Sequence, residues 1–413
     1  MTNSARFRPI QLGHACHIAL GKMLQTAPTG SHDRAVPYLR AGLLDSLESS
    51  FQLPTMFCSS RDLHTYNVSA GDLLVAEGGD VGRAEFAPEL ATQTIFQNSL
   101  HRLRLKIDGD LRYVRYSLDA VRSSGWLDVL CNRTTFGHLT GEKLRQLRIP
   151  WPPSREQRAI ADYLDTETAR IDTLISKKRH LIALLAERKA LSAENSLDRL
   201  RASETLTPLK YLVRESDVRC ETNNELELLL VSIHRGVIPK RLGSNNQTAS
   251  EDLSKYKVVA AGDIVINRMR AFQGGLGVAP QPGIVSPDYT VLRVGAQVSP
   301  EFLHYLLRSS WFVSEMTRRL RGIGATGQGQ VRTPRINFGD LGQIEVPVPP
   351  RTVQEEIAFD LSAREAQLTR LVDLQTKQLT LLEEKRQATI TAAVTGAIDV
   401  HSQVATMPGN TDA

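Results

Sequence analysis

Residues 150–191 read PWPPSREQRAIADYLDTETARIDTLISKKRHLIALLAERKAL, and residues 347–388 read PVPPRTVQEEIAFDLSAREAQLTRLVDLQTKQLTLLEEKRQA. Aligned without gaps, the two segments are identical at 12 of 42 positions, and every matched pair differs by 197 in residue number. Solenoid repeats have periods of only roughly 20–50 residues. The sequence therefore predicts a duplicated module, in which each copy is a globular block followed by this segment.

Each copy of the segment has the signals of a long helix. Residues 154–207 and 351–395 contain neither Pro nor Gly, and a Pro-Pro pair stands just before each stretch. Proline is tolerated at a helix start, where its missing amide proton costs least. The sequence predicts helices over 155–195 and 352–394.

An apolar stripe runs along one face of the first helix, and every position of it is matched by Ile, Leu or Val in the second copy. The stripe consists of Ile160, Leu164, Ile171, Leu174, Ile175, Ile182, Leu184 and Leu185. Two matched stripes can cover each other, which favours an antiparallel pair with coiled-coil packing. The alternative is two separate amphipathic helices, each lying on its own domain.

The blocks that precede the helices have the composition of mixed α+β domains. The segments GDLLVAEGG (71–79) and GDIVINRMR (262–270) occupy similar places, and each reads as a turn followed by a buried strand. We also predict strands at 100–107 and 291–294 and one helix over 300–321. The predicted organisation is a first block at 1–150, a first helical spacer at 151–204, a second block at 205–348, a second helical spacer at 349–400 and a disordered tail at 401–413.

Composition excludes several classes of protein. Of the 413 residues, 41% are hydrophobic and 23% charged, which is typical of a globular protein and argues against general disorder. No stretch has the roughly 20 apolar residues of a membrane span. The four cysteines are far apart, which indicates a reducing cytoplasm and no disulfide scaffold. The net charge of +5 is compatible with a nucleic-acid partner but does not require one.

The sequence contains none of the catalytic motifs expected of a DNA-modifying or ATP-driven enzyme. It has neither an Asn-Pro-Pro-Tyr tetrapeptide nor a phosphate-binding G-x-x-x-x-G-K-[ST] loop. Pro287-Asp288 could begin a nuclease carboxylate cluster, but no Glu-x-Lys follows it. His14, Cys16 and His17 are close in sequence, yet a zinc site would need a fourth ligand. We expect no catalytic residue, cofactor or metal.

The layout resembles the specificity subunit of Type I restriction–modification systems over about residues 5–400. The most specific shared element is Pro-Pro-x-x-x-Gln-x-x-Ile-Ala-x-x-Leu, which occurs at 152–164 and 349–361. Supporting segments are VPYLRAGLL (36–44), GDLLVAEGGDVGRA (71–84), IFQNSLHRLR (95–104), SIHRGVIPK (232–240) and LLEEKRQATITAAVTGAID (381–399). The second copy differs in carrying Glu355, Glu356 and Phe359, so we do not expect strict equivalence of the modules.

The resemblance implies a fold and a set of partners. It implies an α+β protein in which two mixed α/β target recognition domains are separated by two long antiparallel helices forming a coiled-coil spacer. Each recognition domain would read half of a bipartite site in double-stranded DNA. The helices would dock modification (methyltransferase) subunits, two of them in our interpretation, and restriction (ATP-dependent) subunits are a further partner that it allows. No membrane partner is implied.

Basic and amide side chains in glycine-rich loops are the candidate DNA contacts, because Arg and Gln can pair with guanine and adenine edges. In the first block the candidates are Arg83, Asn98, His101, Arg102 and Arg104, with Arg102 and Arg104 sharing one strand face. In the second block the candidates are Arg235, Arg268, Arg270, Gln273, Arg318, Arg319, Arg321, Gln328, Gln330, Arg332 and Arg335. His234 could reach DNA or be structural.

Three functions remain open from the sequence. The favoured one is a non-catalytic specificity and scaffold subunit. The second is an enzyme that acts alone on DNA, against which the missing motifs count. The third is a coiled-coil adaptor or scaffold without sequence-specific DNA readout.

Overall fold

The computed structural model describes residues 6–46, 53–127, 138–192, 194–220, 226–233, 235–240, 253–320 and 335–405. The chain divides into two compact units. Unit 1 comprises Met1–Arg179 and Lys377–Ala413, and unit 2 comprises His180–Thr376. The division falls inside the two long helices, so each unit contains a part of each helix. The domain limits that we drew at the helix ends stay a prediction.

Unit 1 is a mixture of short strands and helices. Its strands are β1 (Pro9–Gln11), β2 (Cys16–Leu20), β3 (Arg34–Leu39), β4 (Thr55–Cys58), β5 (Leu73–Ala76), β6 (Ala84–Phe86), β7 (Ile95–Phe96), β8 (Leu100–Leu105) and β9 (Arg148–Pro150). Its helices are α1 (Leu12–Ala15), α2 (Ser60–Thr65), α3 (Leu111–Ser123), α4 (Gly141–Gln146), the first part of α5 (Ser154–Ser192), the last part of α10 (Arg351–Thr395) and α11 (Val400–Ala405).

Unit 2 has a similar composition. Its strands are β10 (Leu206–Pro208), β11 (Val213–Ser216), β12 (Leu229–Ser232), β13 (Gly236–Pro239), β14 (Lys257–Val259), β15 (Ile264–Asn267), β16 (Leu276–Val278), β17 (Gly283–Val285), β18 (Tyr289–Val294) and β19 (Glu345–Pro347). Its helices are the last part of α5, α6 (Glu194–Ser203), α7 (Pro300–Arg308), α8 (Ser310–Arg318), α9 (Phe338–Leu341) and the first part of α10.

The four-stranded sheets of the two units have the same strand order. The order is β2-β8-β5-β6 in unit 1 and β11-β18-β15-β16 in unit 2, and all neighbouring strands are antiparallel. A helix packs on each sheet, α3 through Val114 and Leu118 and α7 through Phe302 and Leu306. The strands predicted at 71–79, 100–107, 262–270 and 291–294 are confirmed as β5, β8, β15 and β18.

A two-stranded ladder closes each block just before its long helix. Ile10 of β1 lies opposite Ile149 of β9, and Thr207 of β10 lies opposite Val346 of β19. Each residue of the second pair is 197 positions after its counterpart in the first. The duplication that the helices predict therefore extends through the sheets. The smaller sheets are β4-β3-β7 in unit 1 and the pairs β12-β13 and β14-β17 in unit 2.

The long helices pair in antiparallel directions, as predicted. In unit 1, Arg386 Nε lies 2.8 Å from Asp172 Oδ1, and an Arg179 guanidinium nitrogen lies 2.9 Å from Glu383 Oε1. In unit 2, Lys189 Nζ lies 3.1 Å from Glu365 Oε1. Residue numbers rise along α5 as they fall along α10, which is the signature of antiparallel pairing.

The predicted apolar stripe is buried in part, and two of its members were assigned wrongly. Ile171 and Ile175 are buried, whereas Leu174 and Leu184 are 41% and 47% exposed. A helix pair covers only a narrow seam on each partner, so the edges of a broad stripe stay accessible. The prediction that Leu174 lies in the seam is therefore wrong, and so is the same prediction for its match Leu371, which is 37% exposed.

The Pro-Pro-x-x-x-Gln motif fastens the start of each long helix. The Gln157 side chain, which is fully buried, donates to the Pro152 carbonyl (2.9 Å) and accepts from the Asp110 amide (2.9 Å). Gln354 does the same with the Pro349 carbonyl (2.8 Å) and the Ser299 amide (2.8 Å). Asp110 and Ser299 are the N-caps of α3 and α7. The motif thus joins two helix starts by hydrogen bonds that a buried amide can satisfy at once.

The single helix predicted over 300–321 is two helices, α7 and α8. Ser309 ends the first and caps the second with extended backbone angles (φ −61°, ψ 149°). Its hydroxyl donates to the Leu306 carbonyl (2.8 Å) and accepts from the Phe312 amide (3.3 Å). Serine favours this capping role, and that preference outweighs the helical periodicity across the break.

The tail predicted to be disordered from 401 onward is helical at 401–405, within α11. Val400 is buried against Phe7 and Ile160 in unit 1, and His401 Nε2 lies 3.0 Å from Glu156 Oε2. These contacts order a segment whose composition alone gives no signal. Across the described ranges, no helix combines the length and apolar character needed to cross a membrane.

Candidate nucleic-acid interface

The same turn opens β5 and β15 in the two units. Gly71 and Gly262 have φ of +83° and +87°, a region that favours glycine. The aspartate that follows each is buried, and its carboxylate accepts a hydrogen bond from a backbone amide, Ser69 for Asp72 and Ala260 for Asp263, both at 2.8 Å. Burial raises the pKa of the Asp263 carboxyl above its ordinary value. The turn fixes the start of the strand that leads to the loop at the far end of each sheet.

Two of the first-block candidates, Arg102 and Arg104, have partners inside unit 1. Arg104 lies 2.5 and 2.7 Å from the two oxygens of Asp72, and this pairing raises the pKa of its guanidinium. Arg102 donates to Asn67 and lies over the Phe96 ring, 5.2 Å from its centroid. They share a face of β8, as predicted, but both guanidinium groups are engaged in structure.

The other first-block candidates are also held by the fold. His101 is fully buried, and its Nε2 lies 2.8 Å from the Leu139 carbonyl oxygen. A side chain without accessible surface cannot touch DNA, so His101 leaves the candidate set; burial also lowers its pKa. Arg83 is near Asp80 and Glu85 at 4.0 and 3.6 Å. Asn98 is half-buried in the turn that leads into β8.

Several second-block candidates are likewise turned inward or paired. Arg268 donates to the Ile336 carbonyl (3.3 Å) and to the Asn337 side chain. Arg318 and Arg319 bind the two carboxylate oxygens of Glu315, at 2.7 and 2.5 Å. Arg321, Gln328, Gln330 and Arg332 lie outside the described residues, as does His234.

Arg235, Arg270 and Gln273 are the predicted residues that the structure leaves exposed together. Arg270 and Gln273 sit on the loop between β15 and β16, which contains a 3₁₀ turn at Ala271–Gln273. Gly275 is required there, because a Cβ at this position would lie 2.7 Å from the Arg270 carbonyl oxygen.

Arg308, which the sequence reasoning missed, ties that loop to the turn that carries Arg235. Its guanidinium donates to the Leu276 carbonyl (3.1 Å) and to the Ile233 carbonyl (2.8 Å). Its burial lowers the pKa of the guanidinium. The signal was present in PEFLHYLLR, where an arginine ends a strongly apolar helix, since a charge in such a place needs partners.

The segment that ends at Arg335 returns beside the same loop. The Ile336 amide donates to the Arg268 carbonyl (3.3 Å), and an Arg335 guanidinium nitrogen lies 4.0 Å from the Met269 sulfur. One end of the sheet in unit 2 therefore presents Arg235, Arg270, Gln273 and Arg335 on adjoining loops. Guanidinium and amide groups so placed can bind phosphates and base edges.

The corresponding loop of unit 1 has a different surface. It joins β5 to β6 and reads EGGDVGR over 77–83. Its Asp80 is paired with Arg122 at 2.5 Å, so an acidic group replaces the basic and amide side chains of unit 2. The two units thus present unlike side chains on the same scaffold.

No catalytic centre is evident in the part of the chain that the structure describes. Within it, no three His, Cys, Asp or Glu side chains converge in a way that could hold a metal ion. Cys16 is fully buried in β2, and burial raises the pKa of its thiol to about 12.

Comparison with known proteins gives a family model that matches part of the chain and a fold that matches nearly all of it. Residues 7–183 match the family model described as the Type I restriction modification DNA specificity domain. No curated protein gives a significant match. A chain from the structure of a type I R-M system, solved to explain complex assembly and conformational transition, is 17% identical with a TM-score of 0.68, covering 95% of this chain and 98% of that one. The HsdS subunit from Thermoanaerobacter tengcongensis is 17% identical with a TM-score of 0.54, covering 96% and 98%.

Proposed function

We propose that the chain is a DNA-specificity subunit of the Type I restriction modification kind, whose family model matches residues 7–183, and that it reads an asymmetric, bipartite DNA site. The observation that carries this proposal is the repeated scaffold with unlike loops. Strand order and the hydrogen bonds of Gln157 and Gln354 are the same in the two units, while the loops at 77–83 and 268–275 differ in charge. Two similar scaffolds with different loops suit two different half-sites.

In unit 2 we assign the reading to the surface of Arg235, Arg270 and Gln273. Arg can pair with the O6 and N7 atoms of guanine, and Gln can pair with N6 and N7 of adenine. The clamp that Arg308 makes between the two loops holds these side chains on one surface. A preformed surface loses less conformational entropy on binding. In unit 1, Arg102 and Arg104 on β8 are bound to other groups of the same unit. We therefore place the reading surface of unit 1 away from β8.

The long helices supply a docking surface for modification subunits. Leu174 and Leu381 are exposed in unit 1, and their matches at an offset of 197, Leu371 and Leu184, are exposed in unit 2. Exposed leucines in a row are unusual on a chain with no partner. Because the pair occurs once in each unit, it supports two modification subunits for each chain. Restriction subunits, if the system has them, are additional partners.

The chain contributes no catalytic group of its own in this proposal. Methyl transfer belongs to the modification subunits, which bring the methyl-donor site that this sequence lacks. The purified chain alone should therefore neither bind S-adenosylmethionine nor methylate DNA. Methylation by the rigorously purified single chain would favour the enzyme that acts alone.

The decisive experiment is to map methylated bases in DNA from cells that carry this chain and its modification subunit. We expect one asymmetric motif made of two specific parts with an unspecified middle. In cells whose chain carries Arg270→Ala and Gln273→Ala, one of the two specific parts of the motif should be lost or become less specific. Absence of any motif that depends on this chain would instead support an adaptor without DNA readout.

A further inference from the structure

Unit 2 contains a cavity of about 430 Å³ between α7 and the start of α10. Glu301 and His304 line it from α7, and Glu355, Phe359 and Ser362 line it from α10. Phe359 is 76% exposed, the largest exposed fraction of any large apolar side chain in the described residues. The ring of Phe359 is therefore accessible to an occupant of the cavity.

Unit 1 contains a charged cluster at the corresponding place. The Arg112 guanidinium lies 2.7 Å from an Asp110 oxygen, and 2.8 Å from oxygens of both Asp162 and Asp165. Hydrogen bonds to Asp110 and to the other two carboxylates raise its pKa above the ordinary arginine value. The cluster therefore places a guanidinium between helix α3 and the start of α5.

The correspondence between the two places rests on hydrogen bonds. Asp110 and Ser299 both donate their backbone amides to the buried glutamine of the repeated motif, which aligns α3 with α7. The repeat offset of 197 aligns α5 with α10. The four members of the charged cluster, Asp110, Arg112, Asp162 and Asp165, then correspond to Ser299, Glu301, Phe359 and Ser362.

The exchange inverts the charge at one position of the site. A carboxylate, Glu301, stands where unit 1 has its guanidinium, and the three aspartates are replaced by two serines and a phenylalanine. Ser299 Oγ donates to Glu301 Oε2 at 2.7 Å, which fixes the carboxylate at the cavity wall. In unit 1 this place holds a cluster of internal ion pairs. In unit 2 the same place holds a carboxylate and an aromatic ring that line one cavity.

The other charged groups do not make the cavity basic. Arg235 also lies on the lining, and Glu355 is paired with Arg351 at 2.7 Å. His304 is neutral near pH 7, because burial, followed by the charge of Arg308, lowers its pKa to about 4. The lining carries Glu301 and Glu355 beside a single guanidinium, so it is not the basic surface that binds nucleic-acid phosphates.

We propose that this cavity binds an arginine side chain of a partner protein, with Glu301 pairing with the guanidinium and Phe359 lying against its face. Guanidinium groups pair with carboxylates and stack on aromatic rings more effectively than ammonium groups do. The volume accommodates the side chain together with part of its flanking backbone. Unit 1 has its own arginine at the corresponding place, so among the described residues we assign the site to unit 2 alone, and it would distinguish the two units to an asymmetric partner.

The test uses the full chain and two small probes that differ only in charge. N-acetyl-L-arginine methylamide is titrated and followed by ligand-observed NMR, and the citrulline analogue, an uncharged isostere, is titrated in parallel. We expect saturable binding of the arginine probe and at least about fivefold weaker binding of the citrulline probe. Glu301→Gln and Phe359→Ala should each weaken the arginine probe roughly 3- to 30-fold, the range of one such interaction.

Leu374→Ala is the matched control, because Leu374 is an exposed apolar residue of α10 that does not line the cavity. It should leave the affinity for the arginine probe unchanged. Circular dichroism checks that each variant is folded, which is expected because Phe359 and Leu374 are exposed. Equal affinity for the two probes, no saturable binding, or no effect of either substitution would overturn the proposal. Arg235 lines the cavity and also belongs to the proposed DNA-reading surface, so the titrations use neither DNA nor an Arg235 variant. Their failure would leave the methylated motif, which tests the proposed function, unaffected.

Discussion

Gln157 and Gln354, which are 197 residues apart, make the same pair of hydrogen bonds within their own units. Each side chain is fully buried, donates to the carbonyl of the first proline of its Pro-Pro pair and accepts from the N-cap amide of a neighbouring helix. The repeated motif is thus a structural fastener. It holds the start of a long helix against the helix that packs on the sheet, so the loops of each unit are carried by a defined frame.

Replacing either glutamine by leucine should destabilise its own unit. The substitution leaves a buried amide N–H and a buried carbonyl without partners, at roughly 1–3 kcal/mol for each group. Urea unfolding followed by circular dichroism measures the loss. Gln146→Leu is the control, because Gln146 is exposed on α4. Equal midpoints for the buried and exposed variants would contradict the fastening role.

Leu174 and Ile175 are adjacent on α5 but should respond differently to alanine. Ile175 is 6% exposed and Leu174 is 41% exposed. Ile175→Ala should cost about 2–4 kcal/mol, the usual range for a buried aliphatic truncation, and Leu174→Ala less than about 1 kcal/mol. Chemical unfolding of the isolated chain compares them, with helix propensity matched because both variants carry alanine.

Leu174 should contribute to binding of the modification subunit and little to the stability of the isolated chain. Leu174→Ala combined with Leu381→Ala should weaken binding of the modification subunit in a pull-down or by calorimetry while leaving the fold intact. If the double variant binds that subunit as well as the original chain does, the exposed pair is not the docking surface.

The sequence predicts the repeated helices because their signals are local. A Pro-Pro start, a stretch without Pro or Gly and an apolar stripe together fixed the limits of α5 and α10 to within three residues of those observed. It could not separate Ile175 from Leu174, because the face that a helix buries depends on the exact position of its partner. Similarly, the break at Ser309 depends on a capping hydrogen bond that competes with a valid helical pattern.

The sequence predicts which residue types the candidate site contains, but not which of those side chains are exposed. Arg104 and Arg270 look alike in sequence, yet Arg104 lies against buried Asp72 and Arg270 is exposed. The aspartate that pairs with Arg104 is 32 residues away in the chain, in the turn before the neighbouring strand β5. Whether a basic side chain faces solvent or an internal carboxylate is a tertiary property. The shared order of the two sheets was missed because the two blocks have little sequence in common.

Replacing Arg270 should change DNA affinity, whereas replacing Arg104 should change stability. Arg270→Ala should lower affinity for the specific DNA site of the assembled complex by roughly 5- to 150-fold, since one bidentate base contact is worth about 1–3 kcal/mol. Arg104→Ala should lower stability, because it leaves the buried Asp72 carboxylate unpaired. Fluorescence anisotropy with specific and scrambled duplexes, together with urea unfolding, gives both readouts. Arg364→Ala, which removes an exposed helix arginine, controls for loss of charge; equal effects of all three on DNA affinity would contradict the assignment.

Unit 2 should lose stability as the pH falls from about 6.5 to about 4. Burial and, after it, the charge of Arg308 lower the pKa of His304 to about 4, although Glu365 and Glu301 oppose the shift. Because the unfolded chain takes up a proton near pH 6.5 and the folded chain does so only near pH 4, acid favours unfolding across that window, by up to roughly 3 kcal/mol.

The measurement can be made specific to unit 2. The chain has three tryptophans, and replacing Trp126 and Trp151 by phenylalanine leaves Trp311 as the reporter in unit 2. His304→Gln should flatten the pH dependence of the urea midpoint, whereas His32→Gln, at an exposed position, should not. A pH dependence that survives in His304→Gln would assign it to other groups.

Exchanging one block between related chains should change one half of the recognised site and leave the other half intact. The two-stranded ladders β1-β9 and β10-β19 close each block before its long helix, so residues 1–150 can be replaced up to the motif that contains Gln157 without cutting a sheet. If both units engage major grooves on one face of the duplex, the half-sites should lie roughly 10 base pairs apart, centre to centre. Base methylation mapped in cells that carry the exchanged chain and the modification subunit gives the new motif.

Shortening α5 and α10 by matched turns should alter the unspecified middle without altering either half. The opposing model has one block reading DNA and the other docking protein; it predicts a single continuous site and no change when the silent block is exchanged. Observing that result would refute the two-reader model even though the two sheets share one strand order.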